Sequence, residues 1–239
     1  MRDEDRTTRA RIRDAAIAKF SEDGVAATSV RAIAAAAGVS PALVIHHFGS
    51  KDALRVECDR HVATIINEQK TAAMRTGASL DPVAALREYR EGPPILRYLA
   101  RTLVDGSPHV AELVNQMVDD ASKYMAEGVE AGLLRPTTYH YERAAVLTIW
   151  SLGALVLHEH LARLIGVRLM DYPSDPAAGA AYVRPAFEMM TEGVINPDMA
   201  AHIKEVFVNV DEPVTEASRP AKHAQDRLRR AENGRRTHD

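Results

Sequence analysis

The residues with the most specific chemistry run from position 28 to position 51 of the 239-residue chain, TSVRAIAAAAGVSPALVIHHFGSK. They supply hydroxyl, imidazole and cationic side chains but no carboxylate. From Gly24 to Lys51 the only full charges are those of Arg31 and Lys51. An Asp or Glu in this stretch would repel the phosphates of a duplex. This composition therefore favours a surface that meets a nucleic-acid backbone.

Two short helices joined by a tight turn account for the apolar spacing of this stretch. Ile33, Ala37, Val39 and Val44 are spaced to lock the two helices together, and Ala34 is small where they would cross. Such a helix-turn-helix places its second helix in the major groove of DNA. An Ala-rich hairpin buried in a core is the alternative interpretation.

The turn and the helix starts distinguish these two interpretations. Gly38 lies where the turn requires a positive φ. Ser40 is placed to cap the orphan amides of the second helix, and Pro41 suits its first position, since an N–H there has no intrahelical partner. Thr28 or Ser29 would cap the first helix. A buried hairpin does not require this combination, so the sequence predicts a DNA reader.

Side chains of the second helix that face away from the core would point into the groove. We expect groove contacts from Ala42, Leu43 and His46. Phosphate contacts are expected from Thr28, Arg31, His47 and Lys51. The complete predicted DNA-binding set is Thr28, Ser29, Arg31, Ser40, Pro41, Ala42, Leu43, His46, His47 and Lys51. Arginines at positions 2, 6 and 9 form either an arm that reaches an adjacent groove or a solvated chain end.

Over roughly the first fifty to sixty residues the chain resembles the TetR family of bacterial transcriptional regulators. The family pattern T-S-V-x-x-I-A-x-x-A-G-V-S begins at Thr28, and H-F-x-S-K-x-x-L begins at His47. The chain departs from the family inside the second helix, where Ala42 and Ile45 replace a frequent Gly and a Tyr that commonly touches a phosphate. The segment ALVIHHFGSK, residues 42–51, resembles that of a subgroup of actinobacterial members, which includes mycobacterial regulators of drug efflux.

The resemblance implies a ligand-responsive regulator without catalytic activity. It implies a repressor that binds a palindromic operator as a homodimer until a hydrophobic small molecule enters its C-terminal domain, with an efflux transporter as a target. The drug, acyl-chain and pigment classes of effector all remain open. A helical interaction protein that keeps the scaffold without reading DNA specifically is the alternative, and Ile45 is the residue that favours it.

The distribution of charge fits local binding better than coating of DNA. The net charge is −3, but residues 1–51 carry a net +2 and the remainder a net −5. Cys58 is the single cysteine and occupies an apolar helical position, so we expect a buried thiol in a reducing compartment. The N-terminus lacks the apolar run of a signal peptide, and the sequence therefore predicts a cytoplasmic protein.

Almost every segment has helical periodicity, which predicts an all-α fold. The predicted domains are a three-helix, homeodomain-like helix-turn-helix domain at 1–50, a helical ligand-binding and dimerisation domain at 51–210, and a basic tail at 211–239. A helix from Ser50 to about Met74 would be shared by the first two domains. The tail is interpreted as mobile, with a clamp on phosphates as the alternative.

Residues 144–157, AAVLTIWSLGALVL, contain only two polar side chains. A bilayer span needs about 20 residues, so this segment is a core or interface helix with partners on both sides. We therefore expect a homodimer. The predicted interface residues are Leu152, Leu155, Val156, Tyr182, Phe187 and Met190. The predicted ligand-binding residues, for which plain core is the alternative, are Tyr98, His109, Met117, Tyr124, Met125 and Trp150.

Catalytic classes find no support in the sequence. His158 and His160 are two positions apart and thus on different faces of a helix, whereas the zinc-protease motif requires a spacing of four. There is no Gly-rich phosphate loop, no G-x-S-x-G elbow and no evident base beside Cys58. The sequence predicts neither a metal nor a cofactor.

Overall fold

The computed structural model describes residues 3–76, 94–107, 109–171 and 176–208, and within these ranges the chain is helical between short turns. This confirms the all-α prediction. The helices are α1 (Asp3–Asp23), α2 (Val30–Ala37), α3 (Pro41–Phe48), α4 (Lys51–Thr76), α5 (Ile95–Val104), α6 (His109–Glu130), α7 (His140–Val156), α8 (His158–Ile165), α9 (Pro176–Thr191) and α10 (Pro197–Val208), with a 3₁₀ turn at Leu169–Asp171. Residues 77–93 and the predicted tail at 211–239 lie outside the described residues.

The chain divides into two compact units, residues 1–185 and residues 186–239, with the division inside α9. In the first unit, the largest core cluster joins α1 to α4 through side chains such as Ile12, Phe20, Ile33 and Leu54. Cys58 belongs to this cluster and is fully buried, as predicted. Burial raises the pKa of its thiol, which fits a structural rather than a reactive cysteine.

Helix α5 packs against the same cluster. Ile95 and Tyr98 are buried in it, and the Tyr98 ring lies 6.4 Å from that of Phe20 in α1. The next residue, Leu99, joins a second cluster with Ala63 of α4 and Leu113 of α6. Neighbouring residues of α5 thus contact the three-helix domain on one side and the rest of the unit on the other.

Helix α7 has one buried face and one exposed apolar face. Ala144, Thr148 and Leu152, spaced by four, are buried against the unit. On another side of the helix Ile149 is 56 % exposed and Trp150 is 37 % exposed. Sequence inspection indicated that the helix needs partners on two sides without indicating which residues face each side.

This orientation corrects several predicted interface and ligand residues. Leu152 is 5 % exposed and is therefore a core residue rather than an interface residue, whereas Leu155 is half-buried against the same cluster and stays a prediction. Trp150 lies on the exposed face rather than in a cavity. Val156 is exposed and Tyr182 is half-buried, and their places in an interface stay predictions. In the second unit Phe187 and Met190 are exposed.

Among the described residues, no single helix has both the length and the apolar character of a membrane span. Two sharply bent helix pairs, α2 with α3 and α7 with α8, reach those values only when each pair is taken together.

Candidate nucleic-acid interface

The turn between α2 and α3 is set by backbone geometry at Gly38. Its φ is +64°, in the left-handed region, and the amide of Val39 donates to the Ala34 carbonyl at 2.9 Å. Ser40 then caps α3, its Oγ accepting from the Leu43 amide at 3.2 Å. Helix α3 leaves α2 at 102°, an angle typical of a helix-turn-helix. The predicted turn, cap and first-turn Pro41 are confirmed.

Ser29 and Thr28 have different roles at the start of α2. Ser29 is exposed and caps the helix, its Oγ accepting from the Ala32 amide at 3.1 Å. Thr28 is only 2 % exposed, and its hydroxyl donates to the Gly24 carbonyl at 2.7 Å. The expected phosphate contact from the Thr28 hydroxyl is therefore corrected. This hydroxyl ties the α1–α2 loop together, and Ser29 is the residue that presents a polar side chain.

Lys51 is turned toward the protein rather than held out to solvent. Its Nζ donates to the Val25 carbonyl at 2.9 Å and to the Thr28 carbonyl at 3.1 Å, and the side chain is half-buried. The lysine of α4 thus fastens the loop that precedes α2. We revise its role from a phosphate contact to a positioning residue for the Ser29 end of α2.

We expect Lys51→Met, which keeps the apolar stem, to lower the free energy of unfolding by about 1–2 kcal/mol, since two charge-assisted hydrogen bonds at a half-buried site are lost. Urea denaturation followed by circular dichroism measures this change. Arg31→Met is the matched control, because Arg31 is an exposed cation on α2. That control should leave stability unchanged and reduce the slope of log K against log salt by about one. If Lys51→Met instead left stability unchanged and reduced the salt slope, Lys51 would be a phosphate contact after all.

Arg9 holds the C-terminal end of α3 instead of extending into solvent. Its Nη1 donates to the His47 carbonyl at 2.8 Å, and its guanidinium carbon lies 4.5 Å from the centroid of the Phe48 ring. Glu57 of α4 lies 3.5 Å from its Nη2. A cation is favourable where helix carbonyls are unsatisfied. The suggestion that Arg9 belongs to a groove-seeking arm is therefore corrected, while the side chains of residues 2 and 6 lie outside the described residues.

The outer surface of α3 presents few but distinct side chains. Pro41, Ala42, Ile45 and His46 are exposed, whereas Leu43 and His47 are half-buried. Ser29, Arg31 and Ser40 are exposed as well, and we call this set of residues, which contains no carboxylate, the α2–α3 surface. The remaining predicted DNA contacts gather on or beside it and stay predictions.

Four of the predicted ligand-binding residues belong to, or pack against, the described core clusters. Tyr98 is fully buried, and its hydroxyl donates to Asp59 Oδ1 at 2.6 Å. Burial and the adjacent carboxylate raise the pKa of Tyr98. Met117 packs against the second core cluster. Met125 belongs to a third cluster, and Tyr124 packs against that third cluster. These four side chains serve the core, which is the alternative that the sequence left open.

Of the predicted ligand residues, His109 borders a cavity of about 110 Å³ that described residues of α4 and α6 form between them. Its walls also include Asp59, Arg60, Glu112 and Gln116, so the cavity is predominantly polar. The sequence suggested an apolar pocket because it showed large apolar side chains on these helices. It did not reveal that those side chains pack against each other.

Family comparisons match both parts of the chain. Residues 12–58 match the model described as bacterial regulatory proteins, tetR family. Residues 88–196 match the model described as tetracyclin repressor-like, C-terminal domain.

Individual relatives extend over most of the chain. The HTH-type transcriptional regulatory protein RaaS of Mycobacterium tuberculosis is 40% identical over 199 residues, which cover 82% of this chain and 90% of that protein. The HTH-type transcriptional dual regulator CecR of Shigella flexneri is 30% identical over 63% of this chain and 60% of its own length. The crystal structure of a TetR transcriptional regulator from Chloroflexus aurantiacus has a similar fold, with a TM-score of 0.52, 24% identity, and coverage of 80% of this chain and 98% of that one.

Proposed function

Because this chain belongs to the TetR family of bacterial transcriptional regulators, we propose that it is a repressor whose α2–α3 surface binds a palindromic operator. The observation that carries this proposal is that two successive helices joined at Gly38 expose two capping hydroxyls, a guanidinium and the outer side of α3, and that none of these exposed residues is a carboxylate. Phosphate contacts come from Ser29, Ser40 and Arg31, and base contacts come from the outer side of α3.

The same geometry separates a DNA reader from an interaction protein that has kept the scaffold. A protein-binding surface has an apolar centre. On α3 the exposed side chains include the small Pro41 and Ala42 and the polar His46, beside the apolar Ile45, which is 43 % exposed. A small side chain permits close approach to a base edge, and an imidazole donates to or accepts from one. This chemistry favours groove insertion.

A palindromic operator has two half-sites, so it requires two copies of the α2–α3 surface and therefore a dimer. The exposed face of α7 provides a surface for dimerisation. Val146, Ile149 and Trp150 are exposed apolar residues on that face. A Cβ built on Gly153 would have no atom within 4 Å, so this glycine leaves room for a neighbouring helix. A second copy would bury these side chains. The exposed Phe187 and Met190 of the second unit are further apolar residues that a partner would cover.

The effector and the target gene complete the proposal. A small molecule bound by the C-terminal region would favour a conformation in which the two α3 helices no longer match the operator spacing. The hydrophobic class expected for this molecule and an efflux transporter as target rest on the family resemblance alone. Reporter expression from the promoters of neighbouring transporter genes, with and without a deletion of the regulator, tests the target.

Fluorescence anisotropy with DNA from upstream of the protein's own gene tests the function. We expect a specific complex at least about 10³-fold tighter than that with shuffled DNA at the same salt concentration. Equal affinity for both DNAs at every salt concentration would favour the interaction-protein alternative. His46→Ala is expected to reduce the ratio between specific and shuffled DNA, while Arg31→Met should weaken both complexes alike.

Ile45→Tyr should tighten DNA binding by about 2- to 10-fold for all sequences alike, because one added hydrogen bond to a phosphate contributes about 0.5–1.5 kcal/mol. Ile45 is 43 % exposed, so the larger ring fits without disturbing the core. Anisotropy titrations with specific and shuffled DNA measure the effect. Ile45→Ala is the control for simple loss of the isoleucine. A tyrosine variant with unchanged affinity would place position 45 away from the backbone.

A further inference from the structure

Helix α3 is held in the three-helix domain along a narrow line of core contacts. The helix is 8 residues long, and its buried residues are Val44 and Phe48. Residues four apart lie one above the other on the same face of a helix. Packing along one such line sets how deeply the helix lies in the domain, but it resists rotation about that line only weakly. The orientation of the outer side of α3 therefore depends also on contacts at the two ends of the helix.

The N-terminal end of α3 is fixed by the turn at Gly38, and its C-terminal end is fixed from α1. Arg9 Nη1 donates to the His47 carbonyl at 2.8 Å, and the Arg9 guanidinium carbon lies 4.5 Å from the centroid of the Phe48 ring. The last carbonyls of a helix have no partner within the helix, and a cation is favourable beside them. One side chain thus contacts α3 through both its backbone and one of its core rings.

Arg9 is itself held by α4. Glu57 Oε2 lies 3.5 Å from Arg9 Nη2, the neighbour of the nitrogen that donates to α3. Arg60, three residues later on α4, donates to the same carboxylate oxygen at 2.8 Å. Because a guanidinium is a planar, rigid fork, a contact at Nη2 also fixes the direction of the N–H groups at Nη1. Helices α1, α3 and α4 are therefore connected through a single guanidinium.

Contacts with base edges depend on this orientation more strongly than contacts with phosphates do. A hydrogen bond to a base edge requires a defined distance and angle, whereas attraction to the backbone is long-range and independent of sequence. His46, which is exposed on α3, directly precedes the residue whose carbonyl Arg9 holds. A change in orientation at His47 would therefore move the His46 imidazole relative to the bases.

We propose that Arg9 is a positioning residue for DNA reading: it fixes the orientation of α3 in which His46 meets a base edge, and it thereby sets the discrimination between DNA sequences. The inference rests on the proposed function and deepens it, because it separates a residue that orients α3 from the residues that touch DNA. The charge of Arg9 is engaged by a carbonyl, a ring and a carboxylate of the protein, so Arg9 does not belong to the phosphate contacts.

Arg9→Lys tests the inference in the full chain, because it keeps the positive charge but has no planar fork to hold both contacts in a fixed geometry. In fluorescence anisotropy, we expect the ratio between specific and shuffled DNA to fall about 10- to 100-fold, as for the loss of one or two base contacts. Arg11→Lys, the same change at an exposed position of α1, should keep the ratio. An unchanged ratio in Arg9→Lys, or an equal fall in both variants, would overturn the positioning role.

The salt dependence of binding distinguishes positioning from direct contact with the backbone. Arg9→Gln should leave the slope of log K against log salt for shuffled DNA unchanged, because a residue that touches no phosphate releases no counterion. A slope reduced by about one would make Arg9 a phosphate contact and contradict the inference.

Glu57→Gln provides a variant whose two possible effects have opposite signs. If Glu57 only repels DNA, its neutralisation tightens binding to both DNAs alike. If Glu57 orients Arg9, the ratio between specific and shuffled DNA falls, by about threefold to tenfold since the glutamine amide still accepts one hydrogen bond. Glu68→Gln, with the same change in charge at an exposed position of α4, should keep the ratio. Equal tightening by both variants would contradict the inference.

Amide hydrogen exchange without DNA reports the orientation of α3 independently of DNA binding. In Arg9→Lys, the peptide that contains α3 should exchange about 3- to 10-fold faster, while a peptide from α6 should keep the rate of the unmodified protein. Faster exchange in both peptides would show general destabilisation and overturn the inference. If the unmodified protein binds both DNAs equally, the proposed function fails. Discrimination that survives Arg9→Lys in a discriminating protein overturns the inference alone.

Discussion

Ile149→Glu should convert the protein into a monomer and weaken its binding to a two-site operator by about 10²- to 10⁴-fold. Ile149 is 56 % exposed on α7, and in the proposed dimer it is covered by a second copy. A carboxylate buried there without a partner opposes association. Without the dimer, the two α3 helices bind independently, and the gain from simultaneous engagement of both half-sites is lost.

Analytical ultracentrifugation and anisotropy on the same samples measure this result. Val104→Glu is the matched control, since Val104 is 64 % exposed on α5 and the charge change is identical. The control should stay dimeric and keep its affinity. A dimeric Ile149→Glu would show that the subunits associate elsewhere. A monomeric variant with full affinity for the two-site operator would contradict the requirement for paired readers.

The helix-turn-helix of α2 and α3 could be predicted from the sequence because the residues that define it are close together in the chain. The positive φ of Gly38 and the cap by Ser40 involve only backbone groups a few residues away in the chain. Glycine and serine are the residue types that such a turn and such a cap favour, so both can be recognised from the sequence. The buried positions Ile33, Ala37 and Val44 follow from helical spacing for the same reason.

The contacts that the sequence did not reveal join residues far apart in the chain. Arg9 donates to a carbonyl 38 residues later, and Tyr98 donates to a carboxylate 39 residues earlier. An arginine near a chain end has the same appearance in sequence whether it is solvated or clamps a helix. The exposed face of α7 was hidden for another reason, because apolar residues surround that helix and its periodicity cannot separate core from surface.

The ion network around Arg55 leads to the second large effect. Arg55 is 6 % exposed and pairs with Asp105 Oδ2 at 2.5 Å and with Asp59 Oδ2 at 3.8 Å. Burial raises the pKa of Asp59, whereas the hydrogen bond from Tyr98 and the charge of Arg55 lower it. The guanidinium thus opposes the rise in the pKa of Asp59 that burial causes.

Arg55→Met should lower the free energy of unfolding by about 3–5 kcal/mol at pH 7, because removal of one member of a buried ion pair leaves the other charge uncompensated. For a chain of this size, the melting temperature should fall by about 6–20 °C. Urea denaturation between pH 5 and pH 8 measures the loss. The variant should raise the pKa of Asp59 further above its unfolded value, so the folded state binds an extra proton. Its stability relative to the unmodified protein should therefore decrease as the pH rises.

Arg55→Met combined with Asp59→Asn separates loss of packing from loss of charge compensation. If the uncompensated carboxylate causes the instability, the double variant is more stable than Arg55→Met alone, and its deficit no longer increases with pH. Asp105 is compatible with this outcome, because its side chain is 29% exposed and can be solvated without Arg55. A double variant with the summed deficits of both single variants would show that Arg55 and Asp59 act independently. In that case the pairing of Arg55 with Asp59 does not stabilise the link between α4 and α5.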